Sequence, residues 1–292
     1  RKLNSTYRTM NIIADSGSTK THWCVIEGEN TVKEFYTKGI NPFYQTKEEI
    51  LAELKENLYP RIMQSTIDGV HFYGAGCAFA EQKKMLSEIF RDILGKELVV
   101  TIESDLLGAA RSLFGKESGI ACILGTGSNS CYYNGRGIEK NVPPLGFILG
   151  DEGSGAILGK KLTSDALKNQ LPPDLVSKFM KEYDLTLEKV LDHVYKKPFP
   201  NRYLAQFVPF IKENIQYPPL YNIVYSSFND FFNRNICQYP HSEKTPLGFV
   251  GSVAFHFADI LQTIARERHF RIIDIAQNPM KGLIKYHSQK NK

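Results

Sequence analysis

The chain has 292 residues, 42% hydrophobic and 12% aromatic, with 36 basic against 31 acidic side chains and a formal net charge of +5 at pH 7. That length exceeds a typical single domain and predicts two lobes with a cleft between them. The mild positive balance is spread along the chain, which argues against a nucleic-acid partner, and no apolar run approaches the ~20 residues that span a bilayer, which argues against a membrane one. Five cysteines, without a Cys-x-x-Cys pair, suggest neither a disulfide framework nor a zinc site and fit a reducing, cytoplasmic compartment.

Residues 1–9 precede the first strand and read as an extension outside the fold. Residues 10–14 and 22–26 are short β-rich runs joined by a Gly/Ser/Thr turn, a hairpin to which 32–37 adds a third strand. The period then changes: Ile50, Leu51, Leu54, Leu58 and Ile62 form a helical stripe over 48–63. A strand at 70–73, a helix at 80–94, a strand at 98–102 and a helix at 105–114 complete a β-β-β-α-β-α-β-α lobe.

The pattern restarts with a second hairpin, 120–124 and 130–133. A helix follows Gly150-Asp151-Glu152-Gly153-Ser154-Gly155, and residues 172–239 are mostly helical with proline punctuation, an expected inserted helical cap. A strand at 247–250, a helix at 253–266, a strand at 271–275 and a helix at 279–286 close the second lobe. The expected division is 10–115 and 116–292.

Chemistry concentrates at the hairpin turns. Asp15-Ser16-Gly17-Ser18-Thr19-Lys20 and Gly125-Thr126-Gly127-Ser128-Asn129 both place glycines and small hydroxyl residues between strands, where backbone N–H groups can approach phosphate oxygens closely. Together they suggest a phosphate clamp built from two halves. Asp15 suits a Mg²⁺ held through water, because that ion keeps several waters and takes one or two carboxylates, whereas a turn-capping role needs no metal. Lys20 offers a point charge to a phosphate, or simply an exposed strand cation. Asp105 ends a strand and begins a helix, where it either projects into the ligand crevice of an α/β sheet or caps the helix at Leu107 or Gly108. The seven histidines show no metal-ligand spacing.

These loops, the acidic strand end between them and the late Gly251-Ser252 before a helix resemble the sugar kinase, Hsp70 and actin superfamily. Within it, Gly125 to Asn129 followed by Gly150-Asp151-Glu152-Gly153-Ser154 resembles the N-acetylglucosamine kinase and BadF/BadG-type ATPase family. The resemblance runs from Met10 to Tyr286 and implies an α/β fold of two duplicated ribonuclease H-like lobes. It implies ATP and Mg²⁺ as cofactors, Asp105 as general base toward a sugar hydroxyl, and Gly251-Ser252 beside adenosine. Asn41, in the loop that starts at Gly39, and Asn129, Gly146 and Asp151 would then meet a small amino sugar. Pro144-Leu145-Gly146 stands where mammalian-type relatives carry Gly-Trp-Gly, which leaves N-acetylmuramic acid and glucosamine open beside N-acetylglucosamine. A homodimer is one assembly open to such a chain. The rival from another class is the iron–sulfur activator ATPase of 2-hydroxyacyl-CoA dehydratases, for Cys122 resembles one cluster cysteine of those activators. A second cysteine in a comparable motif is missing.

Overall fold

The computed structural model describes residues 10–289, so the expected extension at 1–9 lies outside the described residues. Its chain divides into two compact units, 10–115 with 279–289, and 116–278.

The first unit contains β1 (Met10–Ser16), β2 (Lys20–Glu27), β3 (Asn30–Lys38), α1 (Lys47–Glu53), α2 (Tyr59–Ile62), β4 (Ile67–Gly74), α3 (Ala80–Leu94), β5 (Val99–Ser104) and α4 (Asp105–Phe114). Its sheet runs β3-β2-β1-β4-β5, with β1, β2 and β3 antiparallel and β1, β4 and β5 parallel. Both faces of the central strands are buried, so side chains sort by the period of two. Ile12, Ala14, Trp23, Val25, Val70 and Phe72 face the stripe of α1 to α3, and Ile13, Cys24, Ile26 and Tyr73 face the opposite way. The edge strand β3 carries Lys33, Glu34 and Lys38 and is largely exposed, a charged edge that resists pairing with another chain.

The helix expected over 48–63 is interrupted. Thr46 and Glu49 form a reciprocal capping box at its start, but Leu54–Leu58 form a π turn before Pro60 near the start of α2. Proline lacks the N–H that would continue the ladder of α1, and the wider turn realigns Leu54, Leu58 and Ile62 on the core.

The second unit contains β6 (Gly119–Leu124), β7 (Ser128–Tyr133), β8 (Ile138–Val142), α5 (Gly146–Leu149), α6 (Gly155–Leu167), α7 (Pro173–Glu182), α8 (Leu187–Tyr195), α9 (Pro200–Ala205), α10 (Val208–Glu213), α11 (Pro218–Arg234), β9 (Leu247–Val250), α12 (Ser252–His256), α13 (Ala258–Glu267) and β10 (Ile272–Ala276). Its order, β10-β9-β6-β7-β8, repeats the first sheet: an antiparallel three-strand meander continued by two parallel strands. The expected helical cap is not a separate body. Phe179, Phe207, Phe210, Phe228, Phe231 and Phe232 share one core with Leu124 and Phe249 of the sheet.

The last helix, α14 (Met280–Ser288), departs from the expected second lobe. Met280 and Leu283 pack with Ile13, Cys24, Ile26 and Tyr73, and Ser288 donates to the carbonyl of Gly28 at 2.8 Å. An apolar face on β1 and β2 needed a cover, and this helix supplies it. The two duplicated α/β sheets with helical additions form the actin-like ATPase fold.

Candidate active site

In the first unit the β1–β2 turn is closed by the Gly17 N–H donating to the Lys20 carbonyl at 3.0 Å. Among the described residues no partner takes the N–H of Ser18 or Thr19, which leaves two donors at an accessible turn. Gly39 lies against this turn: its N–H donates to the Thr19 carbonyl at 3.0 Å, and a Cβ on it would stand 2.6 Å from the Gly17 carbonyl oxygen. A side chain there would push the turn away.

Asp15 is at the C-terminal end of β1, and Asp105 begins α4 just past the end of β5, two strands along the same sheet. Burial first, and the charge of Asp105 second, push the Asp15 carboxyl up to about 7, with Lys20 pulling it down. Burial also raises Asp105, opposed by the Leu106 N–H that donates to its Oδ1 at 2.9 Å. The alternative that Asp105 caps its helix at Leu107 or Gly108 is corrected by the structure: Ser104 is the cap and accepts the Leu107 N–H. Lys20 lays its Nζ over the Tyr36 ring, 4.7 Å from the centroid. Asn41 holds its own turn, its Oδ1 accepting from the Phe43 N–H at 3.0 Å and its N–H donating to Gln45 Oε1 at 2.6 Å.

In the second unit the β6–β7 loop is clamped onto the start of α6. The N–H groups of Gly155 and Ala156 donate to the carbonyls of Gly125 and Thr126 at 2.7 and 3.1 Å. Gly125 N–H is taken by the Gly127 carbonyl and Ser128 N–H by Asp151 Oδ1, while among the described residues the N–H groups of Thr126 and Gly127 have no partner. A Cβ on Gly127 would meet Asp151 Oδ2 at 3.2 Å, so the loop and this carboxylate are fitted to each other. Burial raises Asp151 to about 6, against the Ser128 bond and with help from Glu152. Glu152 itself is taken up by Arg234 and Asn235 of the helical region. Asn129 accepts from Ser130 N–H and Asn141 Nδ2 through one oxygen. Gly146 has φ +74° at the start of α5, with open space around it.

Beside the loop lies a cavity of about 420 Å³, lined by Gly125, Thr126, Lys212, Glu213, Ser252 and His256 among others. Gly251 has φ +129°, and a Cβ there would strike the Leu124 carbonyl oxygen at 2.2 Å. Only glycine permits that approach. Sequence reasoning found Ser252 but missed Lys212, Glu213 and His256. His256 is one helical turn beyond Ser252, a findable offset, whereas nothing in the pattern of α10 marked Lys212 as facing this cavity.

The fold is that of the sugar kinase, Hsp70 and actin class. No family model matches the chain. A solved structure from Porphyromonas gingivalis, described as a candidate N-acetylglucosamine kinase, is 46% identical over 97% of this chain and 100% of its own, with a TM-score of 0.94. The N-acetylmuramic acid/N-acetylglucosamine kinase of Clostridium acetobutylicum is 32% identical over 164 residues, 53% of this chain and 52% of its own. The N-acetyl-D-glucosamine kinase of Dictyostelium discoideum is 24% identical over 195 residues, 61% of each chain. The chain thus spans about half to three fifths of the curated relatives it matches. It belongs to the N-acetylglucosamine kinase family of BadF/BadG-type ATPases.

Proposed function

We propose that this chain is an ATP- and Mg²⁺-dependent kinase that phosphorylates a hydroxyl of an amino sugar, with N-acetylglucosamine the leading acceptor. The observation that carries the reading is Asp105, a carboxylate just past a strand end, with the helix cap taken by Ser104 instead and its carboxyl raised above the ordinary range by burial. It would accept the hydroxyl proton as the sugar oxygen bonds to the γ-phosphorus and ADP leaves. Because that transition state is loose, Asp105 mainly orients the nucleophile.

The unpartnered N–H groups of Ser18, Thr19, Thr126 and Gly127 support phosphate binding, each loop contributing its own pair. The cavity beside Ser252 and Gly251 suits adenosine, with Ser128 holding the loop to Asp151. Asp15 fits a Mg²⁺ held through water: a cation nearby would offset both the burial and the Asp105 charge that raise its carboxyl. When bound, the ion would neutralise charge on the phosphates. Asn41, Asn129, Gly146 and Asp151 are assigned to the sugar, of which Asp151 also supports the loop.

Cys122 argues against the iron–sulfur alternative. It is fully buried in β6, paired with Ser130, and its thiol is raised well above its ordinary range by burial and by Cys131. A cluster shared between two subunits needs accessible thiolates. The five free thiols support a reducing compartment. Among the described residues no helix is long and apolar enough to cross a membrane.

The test is sugar-dependent ADP release measured against N-acetylglucosamine, N-acetylmuramic acid and glucosamine with the protein purified anaerobically. Colourless protein with release stimulated by one of these sugars is expected. Stoichiometric iron and sulfide, with ATP turnover indifferent to all three, would replace the kinase reading with the activator.

A further inference from the structure

The described residues hold one gathering of three metal-binding side chains, and it does not belong to the kinase residues above. His22 and Cys24 are two apart on β2 and so share a face, and the β2–β3 register sets Glu34 directly opposite Cys24. Glu34 Oε1 is 2.5 Å from His22 Nε2, Cys24 Sγ is 3.8 Å from the same nitrogen, and all three donor atoms lie within 4.8 Å of one another. An ordinary carboxylate–imidazole pair accounts for the first contact. The second sets a third donor atom, the Cys24 sulfur, beside the same nitrogen.

We propose that His22, Cys24 and Glu34 form a site for a thiophilic divalent cation of the Zn²⁺ class, with solvent completing the coordination. The donor set is sulfur, imidazole nitrogen and carboxylate oxygen, which selects Zn²⁺ or its relatives over Mg²⁺. Bond lengths of about 2.3 Å to sulfur and 2.1 Å to nitrogen in a tetrahedron put those two atoms about 3.6 Å apart, close to the separation found here. Only the Glu34 oxygen must withdraw, and Glu34 is half exposed on an edge strand, free to do so.

The surroundings are prepared on the other sides. His22 and Cys24 are 5% and 2% exposed, and the Tyr36 ring stacks on the imidazole with centroids 4.5 Å apart, fixing its plane. Solvent reaches the cluster from the Glu34 side. Asp15, the ladder partner of His22, shares its face of the sheet but sits on β1, across β2 from Glu34, and is not among the three donors that lie within 4.8 Å of one another. The sequence hid the site because its ligands are joined by strand pairing, not by a zinc-finger spacing.

The test is a Co²⁺ titration of the reduced full chain, read by absorption. One equivalent should bind with sulfur-to-cobalt charge-transfer bands and tetrahedral ligand-field bands, be displaced by Zn²⁺, and be indifferent to excess Mg²⁺. Cys24→Ser should abolish the charge-transfer bands, while Cys237→Ser, at the exposed thiol, should leave them unchanged. Glu34→Gln, on the exposed edge, should keep the thermal transition of the apoprotein and lower affinity at least ~10-fold. Absence of stoichiometric binding, bands that survive Cys24→Ser, or unchanged affinity in Glu34→Gln would each overturn the site. The readout does not use ATP or sugar, so it stands or falls apart from the kinase reading.

Discussion

Asp15 and Asp105 show how burial sets residue-scale chemistry against stability. Both carboxyls are raised in the folded chain, Asp15 to about 7. A carboxyl raised above its unfolded value binds more protons in the native state between the two values, so its contribution to stability is fully present below the unfolded value near ~4 and is lost as pH rises through the folded one. Asp105→Asn removes the charge that helps raise Asp15. Without Mg²⁺, its thermal midpoint should exceed that of the parent by roughly 3 °C or more at pH 8, and the excess should shrink near pH 5, below the value of about 7 to which Asp15 is raised. Equal shifts at the two pH values would show that the carboxyls are not coupled. The sequence marked both residues by their strand ends. It could not tell base from cap at Asp105, because Ser104 and Asp105 are both good capping residues and only the folded backbone shows which one accepts the Leu107 N–H.

At the scale of elements, what the sequence displayed was periodicity. The apolar β-rich runs 10–14 and 22–26 were legible because both faces of those strands are buried, and the helix Ala80–Leu94 because its burial follows the helical period. Strand β8 was not, since four of its five residues are exposed and polar alternation is lost on an edge. The helix read over 253–266 breaks at Phe257, a buried residue with φ −114° and ψ 30° that turns α12 into α13. The C-terminal helix α14 was legible as a helix but not as part of the first unit, because its apolar residues look alike whichever sheet they cover. Leu283 is fully buried there against Ile13, Cys24, Ile26 and Tyr73. Leu283→Ala should therefore destabilise the chain by about 2–5 kcal/mol in denaturant titration. A change below ~0.5 kcal/mol would mean that α14 does not hold that face.

For the whole molecule, the duplication is the feature that sequence and structure share: a hairpin, then parallel strands after helices, twice over, with the third strand legible only in the first half. The restart at 120–124 revealed it without any coordinates. Less legible was the part played by the helices of Pro173–Glu182 to Pro218–Arg234, which supply both the core of the second unit and, through α10, a wall of the cavity. Aromatic residues in a helical stretch announce a core without saying which core, and Lys212 among them gives no sign of its direction.

The central claim is that this chain moves a phosphoryl group from ATP to an amino sugar with Asp105 taking the proton. Mass spectrometry of the sugar after incubation with ATP, Mg²⁺ and N-acetylglucosamine tests it most directly, alongside calorimetric ATP titration of the same preparations. The account predicts sugar heavier by one phosphoryl group with the parent chain, and with Asp105→Asn a rate lower by ~10²-fold or more at nearly unchanged ATP affinity. Unmodified sugar with the parent, or phosphosugar formed equally fast by Asp105→Asn, would contradict it.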